Sequence, residues 1–155
     1  MNFEIERKFL VRMDWPRPDH GKAIRQGYLS REKQRTVRIR VEEGAGILTI
    51  KGPPEGLTRP EFEYRIPQAD AVYLLDHLCS GPLIEKTRYL IEHAGHSWEV
   101  DEFHGENAGL VVAEIELRDP GEQIDLPDWI DREVTGDPRY YNANLASHPY
   151  KNWRS

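Results

Sequence analysis

The chain has a single cysteine, no long uncharged run and no excess of positive charge. Each lack removes a class of protein. Cys79 alone cannot build a disulfide framework, which fits a reducing compartment, and its apolar helical surroundings point to packing rather than nucleophilic chemistry. Charged residues make up 31% of the sequence and interrupt every apolar stretch, so no membrane-spanning helix is expected. The sequence starts directly in a charged strand, which predicts no secretory leader and a cytoplasmic location. A net charge of -6 argues against nucleic acid as a partner, because such partners select a basic footprint. The six histidines show no metal-ligand spacing, and His93 and His96 share a turn where solvent exposure is expected. Gly-x-Ser-x-Gly, His-Glu-x-x-His and the P-loop are all missing, so no covalent nucleophile is indicated.

No internal repeat, low-complexity tract or linker divides the 155 residues, which predicts one domain over 1–155. Strand-like alternation covers 2–11, 24–30, 35–42, 46–51, 59–66, 84–92, 97–103 and 110–118. Short Gly- and Pro-containing turns separate these runs, so the sheet should be mainly antiparallel. The segment 12–23, with Pro16, Pro18 and Gly21, reads as an irregular loop. A helix is expected over 68–80, with Val72, Leu75, Leu78 and Cys79 on its apolar stripe. Asp137-Pro138 reads as an N-cap and first helical residue for a short helix through Leu145, and a further brief helix is expected around 127–132.

Sorting each strand by its two-residue period gives the functional signal. Six strands carry a charged doublet on their polar face: Glu4/Glu6, Arg38/Arg40, Glu61/Glu63, Lys86/Arg88, Glu99/Asp101 and Glu114/Glu116. The first continues into Lys8, and its carboxylates sit about 7 Å apart. A wet sheet face rarely stacks like charges, because they repel unless neutralised. A closed barrel of about eight strands removes sheet edges and gathers these faces around a lumen. Counting Lys51 with them, eight carboxylates and six bases give such a lumen a charge of -2. On that count a polyanion needs one or two divalent cations to be held. Oxygen-only ligands favour Mg²⁺, Mn²⁺ or Ca²⁺ over zinc, and the bases would grip phosphate oxygens.

At these residues the chain resembles the CYTH family, the triphosphate tunnel metalloenzymes, in its short stand-alone form. The resemblance rests on Glu4-Ile5-Glu6-Arg7-Lys8, Gln26-Gly27-Tyr28-Leu29, Val37-Arg38-Ile39-Arg40, Leu48-Thr49-Ile50-Lys51 and Glu61-Phe62-Glu63. It continues through Glu85-Lys86-Thr87-Arg88-Tyr89, Glu99-Val100-Asp101, Glu114-Ile115-Glu116 and the stretch from Val134-Thr135 to Leu145-Ala146. It implies an α+β, mainly antiparallel eight-stranded tunnel with a few short outer helices and Mg²⁺ or Mn²⁺, one or two ions. By position it implies Glu4, Glu6, Asp101, Glu114 and Glu116 as metal ligands, with Glu61 and Glu63 nearby. Lys8, Arg38, Arg40, Lys51, Lys86 and Arg88 would bind phosphates, and Tyr28 either shapes access or packs. One departure stands out. Relatives often carry a basic residue on the C-terminal helix, where this chain has Tyr141, Ala143 and Asn144, so that contact is either missing or falls to Arg139 or Lys151.

The expected reaction is metal-dependent hydrolysis of a terminal phosphoryl group, with Glu114 and Glu116 as catalytic metal ligands. Lys86 either protonates and steadies the leaving oxygen or simply binds phosphate. Inorganic tripolyphosphate is the favoured substrate, since the aromatics are scattered: Trp15 in a loop, Trp98 on an outward face, Trp129 and Trp153 near the C-terminus. The alternatives are an adenylate cyclase, a nucleoside or thiamine triphosphatase, and a non-catalytic polyphosphate-binding module. The composition leaves oligomeric state open, a homodimer included.

Overall fold

A computed structural model describes residues 2–153. Its strands are β1 (Phe3–Val11), β2 (Lys22–Glu32), β3 (Arg35–Glu42), β4 (Ala45–Lys51), β5 (Thr58–Ile66), β6 (Ser80–His93), β7 (His96–Phe103), β8 (Val111–Glu116) and β9 (Ile130–Glu133). Two helices accompany them, α1 (Gln68–His77) and α2 (Asn142–Ser147). Two-residue turns drive the hairpins. Glu43-Gly44 and Ala94-Gly95 both have positive φ at each position (46° and 77°, 50° and 81°), the left-handed geometry that matches strand twist.

All pairings are antiparallel, in the order β5-β4-β3-β2-β6-β7-β8-β1, and β1 returns to β5 to close an eight-stranded barrel. β1 divides its second edge: Phe3–Ile5 pair with β5, and Phe9–Val11 with β9. That division explains the first correction. The expected helix at 127–132 is instead the turn into β9, because the free end of β1 offers backbone partners and Ile130 buries its side chain beside Phe9 and Trp98.

The apolar faces point outward and are covered piece by piece. α1 buries Ala71 and Leu75 on Ile39 of β3. Elsewhere Trp129, Trp15 and Ile124 cover Phe9, Trp98, Val100, Ala113 and Ile115. Trp98 does lie on the outward face, yet it is fully buried there, with Phe9 and Trp129 edge-on to it. The remaining core stops one end of the barrel: Leu145 and Ala146 of α2 and Tyr140 pack with Tyr28, Ile84, Phe103 and Val112.

Local expectations shift in four further places. α1 ends at His77, and Cys79 lies beyond it, half-buried against Gly27, whose missing Cβ would approach the Cys79 Cβ to 3.0 Å. Asp137 accepts from the Arg139 amide, as an N-cap should, but it opens a 3₁₀ turn (Pro138–Tyr140), and α2 starts only at Asn142. β2 and β6 are longer than 24–30 and 84–92. His96 is not solvent-exposed, since its Nε2 lies 2.7 Å from Glu122 and the ring is half-buried.

Candidate active site

Cross-strand register determines what the lumen contains. Glu6 lies opposite Glu116 and Lys8 opposite Glu114. Glu99 also faces Glu114, and Arg88 faces Asp101. On the other wall Arg40 faces Gln26, Arg38 faces Thr49, and Lys51 faces Glu61. From β6 through β7 and β8 to β1, each doublet is thus brought beside a doublet of the neighbouring strand, whereas Arg38/Arg40 lies between Gln26 and Thr49. Within the barrel lies a cavity of about 370 Å³.

The walls of this cavity differ from the even mixture expected. Of the residues singled out above, Glu4, Glu6, Lys8, Tyr28, Arg38, Arg40, Lys51, Lys86, Arg88 and Glu114 line it. Glu61, Glu63, Glu99, Asp101 and Glu116 do not. Three more bases do: Arg31, Lys33 and Arg59. The lining therefore carries nine bases against three carboxylates, while four of the carboxylates outside it, Glu61, Glu63, Glu99 and Asp101, pair with Lys51, Arg38, Arg88 and Lys86.

Behind the wall the charges are individually matched. Asp101, 1% exposed, accepts from Arg88 Nε at 2.8 Å and Nη2 at 2.9 Å, and its Oδ2 lies 2.8 Å from Lys86 Nζ. Burial alone would raise its pKa, but Lys86 and Arg88 together hold it far below the carboxylate range. Asp101 thus accepts from both bases at once. Burial draws Lys86 down to about 7, with Arg88 and Arg40 adding repulsion and Asp101 opposing. Lys86 also donates to Asn142 Oδ1 at 2.8 Å. Gln26 donates to the same oxygen at 3.0 Å and accepts from Arg40 Nε at 2.8 Å, so one chain of bonds ties α2 to both basic strands. Arg40 is lowered to about 10, by burial first and then by Arg38 and Arg88.

Around β1 the carboxylates divide into two kinds. Glu4 meets Lys51 at 2.8 Å, and Lys51 reaches Glu61 at 3.4 Å. Burial would raise Glu114, but Lys8 at 3.8 Å, helped by Arg88 and Lys86, keeps it low. Glu6 is the opposite case, for burial raises its pKa well above normal and Glu114 and Glu4 add to the rise. Its register partner Glu116 is raised too, by burial and then by Glu4, Glu99 and Glu63. Two carboxylates at one register position, both short of positive charge, fit a hard divalent cation. Among the described residues no three acidic, histidine or cysteine side chains form a ligand cluster.

Two buried guanidinium nitrogens have no acceptor among the described residues: Arg38 Nε and Arg31 Nη1, both on cavity-lining side chains. Buried donors are rarely left so, and an anion would supply the acceptors. Arg31 and Lys33 escaped the sequence reading for a physical reason. The β2–β3 register shifts between Tyr28 and Ser30, and this bulge turns Arg31 inward, out of phase with Gln26 and Tyr28. Asn142 carried no strand periodicity to reveal it. Of the expected alternatives for the C-terminal contact, the two bases do not reach the cavity: Arg139 pairs with Asp137 at 2.8 Å, Lys151 pairs with Glu106, and neither lines it. Tyr28 lines the cavity and packs in the cluster that holds Ile84, only 5% exposed.

Comparison with known proteins agrees with this geometry. A protein called inorganic triphosphatase from Acetivibrio thermocellus is 51% identical over 155 residues, 99% of each chain. Another of that name from Nitrosomonas europaea is 35% identical, covering 92% of this chain and 96% of its own. A crystal structure of an inorganic triphosphatase superposes with a TM-score of 0.67 at 32% identity, over 92% of this chain and 97% of that one. The CYTH domain model matches residues 2–150, the whole barrel together with α2 that stops its end. The chain belongs to the CYTH domain family.

Proposed function

We propose that this protein is a divalent-metal-dependent triphosphatase that hydrolyses inorganic tripolyphosphate to pyrophosphate and phosphate. The observation that carries the reading is the cavity itself: nine bases and three carboxylates around about 370 Å³ inside a closed barrel. A small, highly charged anion fits that description. The relatives called inorganic triphosphatase support it.

In this reading Arg38, Arg40, Lys51 and Arg88 hold phosphate oxygens, the guanidinium groups as bidentate forks. Arg31, Lys33 and Arg59 take the place of the basic residue absent from α2 and receive the outer end of the chain. Their charge favours a bare phosphate there over a base or thiazolium ring. Glu6 and Glu116, with Glu4 and Glu114 beside them, would hold Mg²⁺ or Mn²⁺. The bound metal supplies electrophilic charge and lowers the pKa of a water molecule. Lys86 sits where a proton can be held near neutral pH, since its pKa is drawn to about 7. It is the group suited to protonate the departing pyrophosphate oxygen. Asp101 is a positioning residue, because its two oxygens orient Lys86 and Arg88.

The test is phosphate release from tripolyphosphate, ATP and thiamine triphosphate, each with Mg²⁺ and with Mn²⁺. Release from tripolyphosphate well above the other two is expected. Cyclic nucleotide and pyrophosphate from ATP would replace the assignment with a cyclase, and tight binding without release would replace it with a binding module.

A further inference from the structure

The short closure of the barrel leaves half of β5 without a neighbour. β1 pairs with β5 only from Thr58 to Pro60, Glu61 bonds to Asn2 just before β1, and among the described residues Phe62–Ile66 have β4 alone beside them. Two backbone hydrogen bonds establish which way this overhang faces. Gly52 N donates to Pro60 O, toward β4, and Glu61 N donates to Asn2 O, toward β1. Successive residues of a strand address alternate edges, so Phe62, Tyr64 and Ile66 bond to β4. Glu63 and Arg65 present their N–H and C=O groups to the open edge. Phe62 and Tyr64 are 38% and 54% exposed, and Glu63 and Arg65 are exposed as well.

We propose that this edge is a dimer interface, in which β5 strands of two copies of the chain pair antiparallel about Tyr64. The charge pattern selects the partner and the register. Centred on Tyr64, Glu63 of each copy lies opposite Arg65 of the other, and those are the residues whose backbone groups have no partner among the described residues. Four backbone hydrogen bonds and two Glu–Arg pairs form together. On the other face Phe62 meets Ile66, and Tyr64 meets its own copy. Centring on Glu63 would oppose two carboxylates, and centring on Arg65 two guanidiniums. Only the Tyr64 register satisfies both backbone and charge. A second copy therefore fits better than an unrelated strand. The pairing also removes the kind of exposed apolar edge that proteins otherwise protect.

Sedimentation equilibrium on the whole chain at up to about 1 mM, enough to register even a millimolar Kd, tests this. A monomer–dimer equilibrium is expected for the natural sequence. Arg65→Glu alone and Glu63→Arg alone should each be monomeric, because each opposes like charges at both pairs. An equimolar mixture of the two variants should dimerise again, since the pairs become complementary. A natural chain that stays monomeric, a variant that dimerises alone like the natural chain, or folded variants that fail to associate when mixed would each overturn the proposal. Should a variant not fold, amide exchange in the natural chain decides. Slowing at Glu63 and Arg65 with rising concentration is expected, and rates independent of concentration would refute the interface.

Discussion

Asp101 shows how far a residue's surroundings determine what its type can do. A carboxylate on a polar strand face reads as a metal ligand, but here Arg88 and Lys86 occupy both of its oxygens in a buried triad. Removing one partner of such a group leaves uncompensated charge, which costs more than the pair itself contributes. Asp101→Asn is expected to lower stability by about 3 kcal/mol, or roughly 6–12 °C in Tm for a chain of this length. Lys86 would lose the larger of the two charges, Asp101 and then Glu114, that oppose its fall in pKa, so the basic limb of the pH–rate profile should move down as well. Thermal unfolding and a pH–rate profile measure the two effects. A variant with the natural Tm and profile would remove Asp101 from the positioning role. The sequence revealed the Glu4/Glu6, Arg38/Arg40 and Lys86/Arg88 doublets that line the cavity, because alternation alone assigns a side chain to a face, but not Arg31 and Lys33, which lie beyond a bulge. It did not reveal which carboxylates are paired, since that depends on register between strands far apart in the chain.

Elements were legible where local turn chemistry and period agreed, as in the Glu43-Gly44 and Ala94-Gly95 hairpins. They were misread where a tertiary partner decided, as in β9, which forms because β1 offers it an edge. The loop between β8 and β9 depends on another long-range contact. Glu122 accepts from the Arg118 amide at 2.6 Å and lies 2.7 Å from His96 on β7. The Arg118 amide first, and then His96, lower its pKa to about 2. The folded pKa lies below the unfolded value of 4.5, so the carboxylate stabilises the fold above pH 4.5. That contribution fades as pH falls from there toward 2. Glu122→Gln should therefore be less stable than the natural protein at pH 6, with the difference shrinking through that window. Urea denaturation midpoints from pH 6 to pH 2.5 measure it, and a difference independent of pH would show that the ionised carboxylate has no part.

At the scale of the molecule, charge is segregated: the chain carries -6 overall, yet bases dominate the cavity by nine to three. An acidic exterior discourages large polyanions, and a cavity of about 370 Å³ admits only small ones. This segregation separates binding from chemistry. Because the bases outnumber the lining carboxylates, tripolyphosphate should bind even when metal is chelated, whereas turnover should stop. With EDTA and ligand at about 100 times its Kd, linkage gives about 2.7 kcal/mol of added stability. That corresponds to a rise of roughly 5–10 °C in Tm. About 1 M salt, which shortens the screening length to about 3 Å, should shrink the rise without abolishing it, since the contacts lie inside the barrel. Differential scanning fluorimetry with and without EDTA, beside a phosphate-release assay, reads both quantities. If the shift in Tm vanishes with the metal, the bases do not hold the anion by themselves, and the carboxylates on β1 and β8 must be neutralised before it can enter.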